Sequence, residues 1–133
     1  MNRLVLADTG PLYAALDITD QYHERAQGDL ERLTQEKREV IIAYPILFES
    51  YSLVLYRLGS RAAASWLKQT MDGASFLNPT PQDYRESAKQ LRSFADEKIT
   101  LFDAITAVVA RRLNLQVWSY DHHFDVMRVR IWR

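Results

Sequence analysis

The chain has no cysteine, which excludes disulfides, thiolate-bound zinc and iron–sulfur centres. It has no net charge either, because 17 basic residues balance 17 acidic ones. That balance argues against a protein that holds a polyanion by bulk electrostatics alone. Long apolar runs are missing. The longest stretch with a single charge, Val40 to Tyr56, carries Pro45, Glu49, two serines and three tyrosines and makes a poor membrane span. The N-terminus opens directly into Leu4-Val5-Leu6-Ala7 without a basic leader or a cleavage site. No repeat, linker or low-complexity segment interrupts the 133 residues. With 47% hydrophobic and 26% charged residues, one cytoplasmic domain spanning 1–133, with a real core, is the expectation.

Against that ordinary background, three acids stand out by isolation. Asp8 is the only charge between Leu4 and Leu16, Glu49 between Val40 and Tyr56, and Asp103 between Ile99 and Ala110. Stretches this apolar build a core, and a lone buried carboxylate is costly without a hydrogen-bond network, a proton or a cation. Three such residues, with a fourth candidate at Asp121, point to carboxylates from distant parts of the chain converging on a divalent metal.

The order of elements supports convergence. Leu4–Ala7 predicts a buried strand ended by Asp8-Thr9-Gly10-Pro11, with a short helix over Leu12 to Leu16. Asp20 is read as the cap of a charged, solvent-facing helix through about Leu33. Val40–Ala43 is a second strand. A helix from Ile46 stops at Gly59, and Ser60 caps another to about Met71. Ser75–Leu77 is a third strand, followed by helices over Gln82 to about Asp96 and Asp103 to Leu113. Gln116–Trp118 is a fourth strand, Asp121 to Asp125 a loop, and Val129–Trp132 a last strand. Strands alternating with helices predict an α/β sandwich, three layers deep around a mostly parallel sheet. Such sheets carry their sites at the carboxyl ends of the strands. Asp8 and Ser119-Tyr120-Asp121 directly follow strands, Glu49 lies one helical turn beyond the second, and Asp103 sits in the first turn of its helix.

The segments around these acids, Leu4-Val5-Leu6-Ala7-Asp8-Thr9-Gly10-Pro11-Leu12-Tyr13, Pro45-Ile46-Leu47-Phe48-Glu49, Thr100-Leu101-Phe102-Asp103-Ala104 and Ser119-Tyr120-Asp121-His122-His123-Phe124, resemble in order the acidic motifs of PIN-domain proteins. The likeness is greatest to the VapC-like toxins of bacterial toxin–antitoxin pairs. Thr100 stands where serine is commoner and Ser119 where threonine is commoner; both keep a hydroxyl. The resemblance implies an α/β/α fold, Mg²⁺ or Mn²⁺ dependence, endoribonuclease activity, a homodimer and a cognate antitoxin. It implies that Asp8, Glu49, Asp103 and Asp121 are the catalytic and metal-binding residues, with Thr9, Ser119 and Asp125 auxiliary. Neutral overall charge is compatible with such a nuclease if metal masks its negative centre.

Hard oxygen donors without cysteine suit Mg²⁺ or Mn²⁺ better than zinc. In this reading Asp8 and Asp103 are core ligands, Asp121 completes the cage, and Glu49 binds the ion or orients a water. Like charges crowded without metal are expected to raise their own pKa values. Blander readings accompany each residue: Asp8 as a turn former, Glu49 paired with Arg57, Asp103 as a helix cap, Asp121 as a turn residue. His23 is read as a helix start; His122-His123 invites a metal reading, with an exposed loop pair as the favoured one. Arg111, Arg112, Arg128, Arg130 and Arg133 are read as solvated or ion-paired rather than as an RNA grip, and Trp66 and Trp132 as exposed rings available to bases or a dimer seam. A haloacid-dehalogenase-like phosphatase also opens with strand-then-Asp, but it wants a second Asp where this chain has Gly10. A non-catalytic PIN-like module that binds RNA or protein is the rival of another class.

Overall fold

The computed structural model describes residues 3–133. Four strands, β1 (Leu4–Ala7), β2 (Glu39–Ala43), β3 (Ser75–Leu77) and β4 (Gln116–Trp118), form one sheet in the order β3-β2-β1-β4. Every pairing is parallel, with Leu6 opposite both Ile41 and Val117. Parallel strands buried on both faces read as unbroken apolar runs, and Val5, Leu6, Ala7, Ile42, Ala43 and Val117 are each at most 1% exposed. Burial of each larger side chain contributes roughly 1.5–3 kcal/mol.

Parallel neighbours need crossovers, and these are helical. α1 (Thr9–Leu16) and α2 (His23–Gln35) join β1 to β2; α3 (Tyr44–Leu58) and α4 (Ser60–Gly73) join β2 to β3. α5 (Pro81–Leu91), a 3₁₀ turn (Arg92–Phe94) and α6 (Leu101–Leu113) lead from β3 back across the sheet to β4, which α7 (His123–Val126) follows. Right-handed crossovers place α1–α4 on one face. The reversed step to β4 puts α5 and α6 on the other, giving three layers. The order therefore reverses between β1 and β4, which defines a switch point at their carboxyl ends. α6 is buried from Asp103 through Ala110 without a break, because it packs on α5 and also touches α3, α7 and β4.

Several element ends depart from the sequence expectation. Helix α1 starts at Thr9, placing Pro11 within its first turn, where a missing N–H costs nothing. Asp20 does not cap α2: its carboxylate accepts from Tyr22 N (2.8 Å) in a turn, and the helix starts at His23. His23 anchors that start through Nδ1, 2.8 Å from Ala14 O. Ser60 is the first helical residue rather than the cap; Gly59, at φ 92°, makes the corner between α3 and α4. The helix expected through Asp96 ends at Leu91 and tightens into the 3₁₀ turn. The final strand is reduced to one parallel bridge, Val117 with Ile131. Arg128 at φ 58° breaks the extended run before it.

The charged helix α2 faces solvent only in part. Asp29 accepts from Trp118 Nε1 (3.1 Å) and Tyr120 Oη (2.7 Å), Arg25 lies over the Tyr120 ring, and Arg32 lies over Trp132. Trp66 and Trp132, expected at the surface, are 7% and 4% exposed; Trp132 spends its N–H on Glu36 and sits edge-on to Trp118. Neither ring is available to stack on bases. Among the described residues no helix is long and apolar enough to cross a membrane.

Candidate metal centre

Asp8 is placed by β1. It is the first residue past the strand, its N–H donates to Trp118 O (3.0 Å), and its carboxylate therefore stands at the junction of β1 and β4. Ser119, the first residue past β4, donates its hydroxyl to Asp8 Oδ2 (2.8 Å) and accepts from Asp121 N (3.0 Å). One serine thus fixes the approach of two acids. On the other side Thr9 donates to Glu49 Oε1 (2.5 Å), and the buried Ser50 donates to Thr9 Oγ1 (3.0 Å). Because Glu49 and Ser50 are neighbours on α3, this chain of hydroxyls locks α1 against α3 and aims the glutamate.

Asp103 is the third residue of α6 and half of a capping box: its N–H donates to Thr100 Oγ1 (3.1 Å) and its Oδ2 accepts from Thr100 N (3.0 Å). The blander reading of this residue, as a helix cap, holds, and the cap fixes where its carboxylate stands. Glu49 has no pairing with Arg57, which lies over the Tyr13 ring instead. Asp125 lines a cleft with Ser119 and Asp121, but Arg133 grips it (3.0 and 3.3 Å), with 60% of its side chain exposed. Asp103 and Asp121 bring oxygens within 4.8 Å of each other, whereas Asp8 and Glu49 fall outside that group and are linked to it by charge.

Electrostatics report the convergence. Burial pushes the Asp8 carboxyl up to about 7, against the bonds from Ser119 and Thr9, with the charges of Asp103 and Glu49 adding to the rise. Glu49 and Asp103 are raised too, again by burial first. Glu49 feels both Asp103 and Asp121, and Asp103 feels Asp121. Crowding of like charge was the expected cause; loss of hydration is the larger one. Among the described residues, no lysine or arginine forms an ion pair with any of the four acids. A set of hard oxygen donors, two buried and two half-buried, with no lysine or arginine counter-charge among the described residues fits a divalent cation.

His123, for which the exposed-pair reading was favoured over a metal one, also lies here. Its Nδ1 is 3.0 Å from Asp121 Oδ1 and 4.0 Å from Asp103 Oδ2, and donor atoms of the three residues all lie within 4.8 Å of one another. The exposed-pair expectation holds for His122, whose side chain is 76% exposed, but not for His123, at 15%. A signal was present in Asp121-His122-His123: an aspartate two residues ahead accepts the later residue's N–H, here at 2.9 Å, and draws that residue's ring against its own carboxylate. The arginines read as ion-paired or solvated include Arg112, which grips Asp83 (2.8 and 2.7 Å), and Arg111, bound to Met127 O and Gln90.

A parallel α/β sheet with acids gathered at its switch point defines the class. The PIN domain family model matches residues 5–129, and the chain belongs to that family. Three solved structures share its fold. VapC20 of Mycobacterium tuberculosis, described as a sarcin–ricin loop cleaving toxin, is 21% identical with a TM-score of 0.83 over 97% of this chain and 98% of its own. VapBC2 of Rickettsia felis, solved with a DNA fragment from its promoter, is 16% identical with a TM-score of 0.75 over 98% and 97%. FitAcB of Neisseria gonorrhoeae is 17% identical with a TM-score of 0.68 over 97% and 96%. No curated protein sequence matches the chain.

Proposed function

We propose that the protein is a Mg²⁺- or Mn²⁺-dependent endoribonuclease and the toxin of a toxin–antitoxin pair. The observation that supports this reading is the electrostatic coupling of Asp8, Glu49, Asp103 and Asp121, with no lysine or arginine paired to any of them among the described residues. Asp8, Asp103 and Asp121 would hold the metal, with Glu49 as further ligand or as orienter of a water. When bound, a divalent ion neutralises phosphate charge and lowers the pKa of an attacking water. The remaining work belongs to the chain itself. Ser119 fixes Asp8 and the Asp121 main chain, Thr9 aims Glu49, and Thr100 holds Asp103, so the carboxylates need no reorganisation when the phosphate arrives.

The toxin role draws on the shared fold with VapC20, described as cleaving the sarcin–ricin loop. An apolar groove of about 630 Å³ opens beside the acids between α3, α5 and α6, lined by Tyr44, Phe48, Tyr84, Leu101 and Phe102. Phe48 is 67% exposed and Leu101 51%, and the groove is where an apolar antitoxin segment would cover the site. Leu55, Tyr56 and Leu58, exposed at the end of α3, offer a face for the homodimer.

The deciding assay incubates structured RNAs with Mg²⁺ or Mn²⁺ and the protein, beside an Asp8→Ala/Asp103→Ala control. Metal-dependent cleavage lost in the control is the expected result. Equal RNA binding with no cleavage by either protein would assign the chain to the non-catalytic module instead.

A further inference from the structure

His123 Nδ1 is buried and has no hydrogen-bond partner, although Asp121 Oδ1 is only 3.0 Å away. The oxygen therefore lies off the in-plane direction along which an imidazole nitrogen donates or accepts. An unmet buried ring nitrogen is costly, and this one lies beside two carboxylates. The spacing fits a ligand set. Donors about 2.1 Å from one ion stand about 3.0 Å apart when adjacent and about 4.2 Å when opposite; Nδ1 is 3.0 Å from Asp121 Oδ1 and 4.0 Å from Asp103 Oδ2. On the far side of the ring, Nε2 faces Glu97 Oε2 at 3.9 Å. That is beyond a direct hydrogen bond, but it is the side from which a carboxylate orients a metal-bound histidine.

We infer that His123 is a nitrogen ligand of the acidic centre through Nδ1, and that Asp103, Asp121 and His123 together select a transition-metal ion over Mg²⁺. The inference rests on the metal-centre reading above and sharpens it. Four carboxylates alone make an oxygen site, the chemistry that suits Mg²⁺ and Mn²⁺. An imidazole adds affinity for Co²⁺ and its neighbours, while Mg²⁺, which keeps its waters, gains little from nitrogen. His123 needs no rearrangement of the chain to serve, because Asp121 already fixes its backbone N–H.

The test uses the full-length chain, with pulsed electron paramagnetic resonance on the Mn²⁺-loaded protein and calorimetric titration with Co²⁺ and Mg²⁺. Imidazole nitrogen coupling to Mn²⁺ is expected in the wild type and in His122→Ala, and is expected to vanish in His123→Gln. Co²⁺ affinity should fall about tenfold or more in His123→Gln, while Mg²⁺ affinity changes less than about threefold. Mn²⁺ that binds the wild type without nitrogen coupling overturns the assignment of His123 while leaving the carboxylate centre intact. Coupling that survives in His123→Gln overturns it equally. A wild-type chain that takes up no Mn²⁺, Co²⁺ or Mg²⁺ removes the metal centre and this inference together. The wild-type coupling requires no variant, so a poorly folding His123→Gln cannot mask the outcome.

Discussion

Helices α5 and α6 begin with the same device and end in opposite electrostatic states. Thr80 and Asp83 open α5, Thr100 and Asp103 open α6, and in each pair the threonine hydroxyl and the aspartate exchange bonds with the other's main chain at 2.9 to 3.1 Å. Both aspartates are buried, at 2% and 8% exposure. Arg112 then takes the Asp83 carboxylate in two bonds and holds it below the usual carboxylate range. Asp103 receives no such cation; burial raises it, the Asp121 charge adds to the rise, and the bonds from Thr100 and the nearby His123 oppose it. A capping box needs a carboxylate but not an unbalanced one. What separates Asp83 from the proposed metal ligand Asp103 is the missing arginine.

Removing the two carboxylates in turn should break the comparison most sharply. Asp103→Asn keeps an acceptor for Thr100 N yet deletes a proposed metal donor, and the proposed metal-dependent RNA cleavage is expected to fall by about a thousandfold, the upper range for loss of one transition-state donor. Asp83→Asn should leave cleavage rates within about threefold of wild type, because no reacting group is touched. Stability should move the other way. Asp83→Asn loses charge-assisted bonds to Arg112 and costs about 2 kcal/mol, whereas Asp103→Asn should not lower the metal-free melting temperature. Parallel thermal melts and RNA cleavage assays check both halves, and an inactive Asp83→Asn that is still folded would count against the division.

Proton linkage gives the next largest effect and sets the centre against the ordinary carboxylates around it. The Asp8 carboxyl is raised to about 7 in the folded chain, above roughly 3.9 when unfolded. Between those values the folded state holds a proton that the unfolded chain has released, so stability declines as pH rises from about 4 to about 7. The loss has an upper bound of about 4 kcal/mol. Asp8→Asn should flatten the decline, and saturating Mg²⁺ or Mn²⁺ should offset it in the wild type. Asp83, held low by Arg112, contributes the opposite slope at acid pH: its stabilisation is present above the unfolded value and lost as pH falls through the folded one. Denaturant melts from pH 4 to 8 on metal-free protein measure the first slope directly; a flat profile would remove the claim that Asp8 is buried without a counter-ion.

The unequal legibility of the two regions has a physical basis. Strands β1, β2 and β4 are buried on both faces, so Val5-Leu6-Ala7, Ile41-Ile42-Ala43 and Val117-Trp118 announced themselves as apolar runs, and the acids following them were conspicuous as lone charges. The ends of α1, α3 and α6 were legible, but the tightening at Arg92–Phe94 and the positive φ of Lys37 and Arg128 were not, because they depend on packing and backbone geometry that no periodicity encodes. His123 was hidden for a related reason. Two adjacent histidines have identical composition signals, yet the Asp121 turn buries one ring and exposes the other. The burial of Trp66 and Trp132 was equally invisible, because an indole in a polar stretch looks the same whether it covers a core or faces water.

The smallest expected effect isolates the cap itself. Thr80→Ala and Thr100→Ala each remove one hydroxyl acceptor from an N3 N–H, and each should cost about 1 kcal/mol, about 4 °C in melting temperature for a chain of this size. As caps the two threonines are interchangeable. As supports for their aspartates they are not, because Asp83 remains clamped by Arg112 after its threonine is cut back, whereas Asp103 loses half of its reciprocal pair and has no guanidinium to keep it in place. Thr100→Ala should therefore weaken Mn²⁺ binding by about tenfold, in the range seen when an outer-shell partner is lost, and Thr80→Ala should leave it unchanged. Calorimetric titration of the two variants with Mn²⁺ separates the roles. Equal Mn²⁺ affinities at equal melting temperatures would mean that Asp103 is held by the packing of α6 alone, and that its capping box serves only the helix.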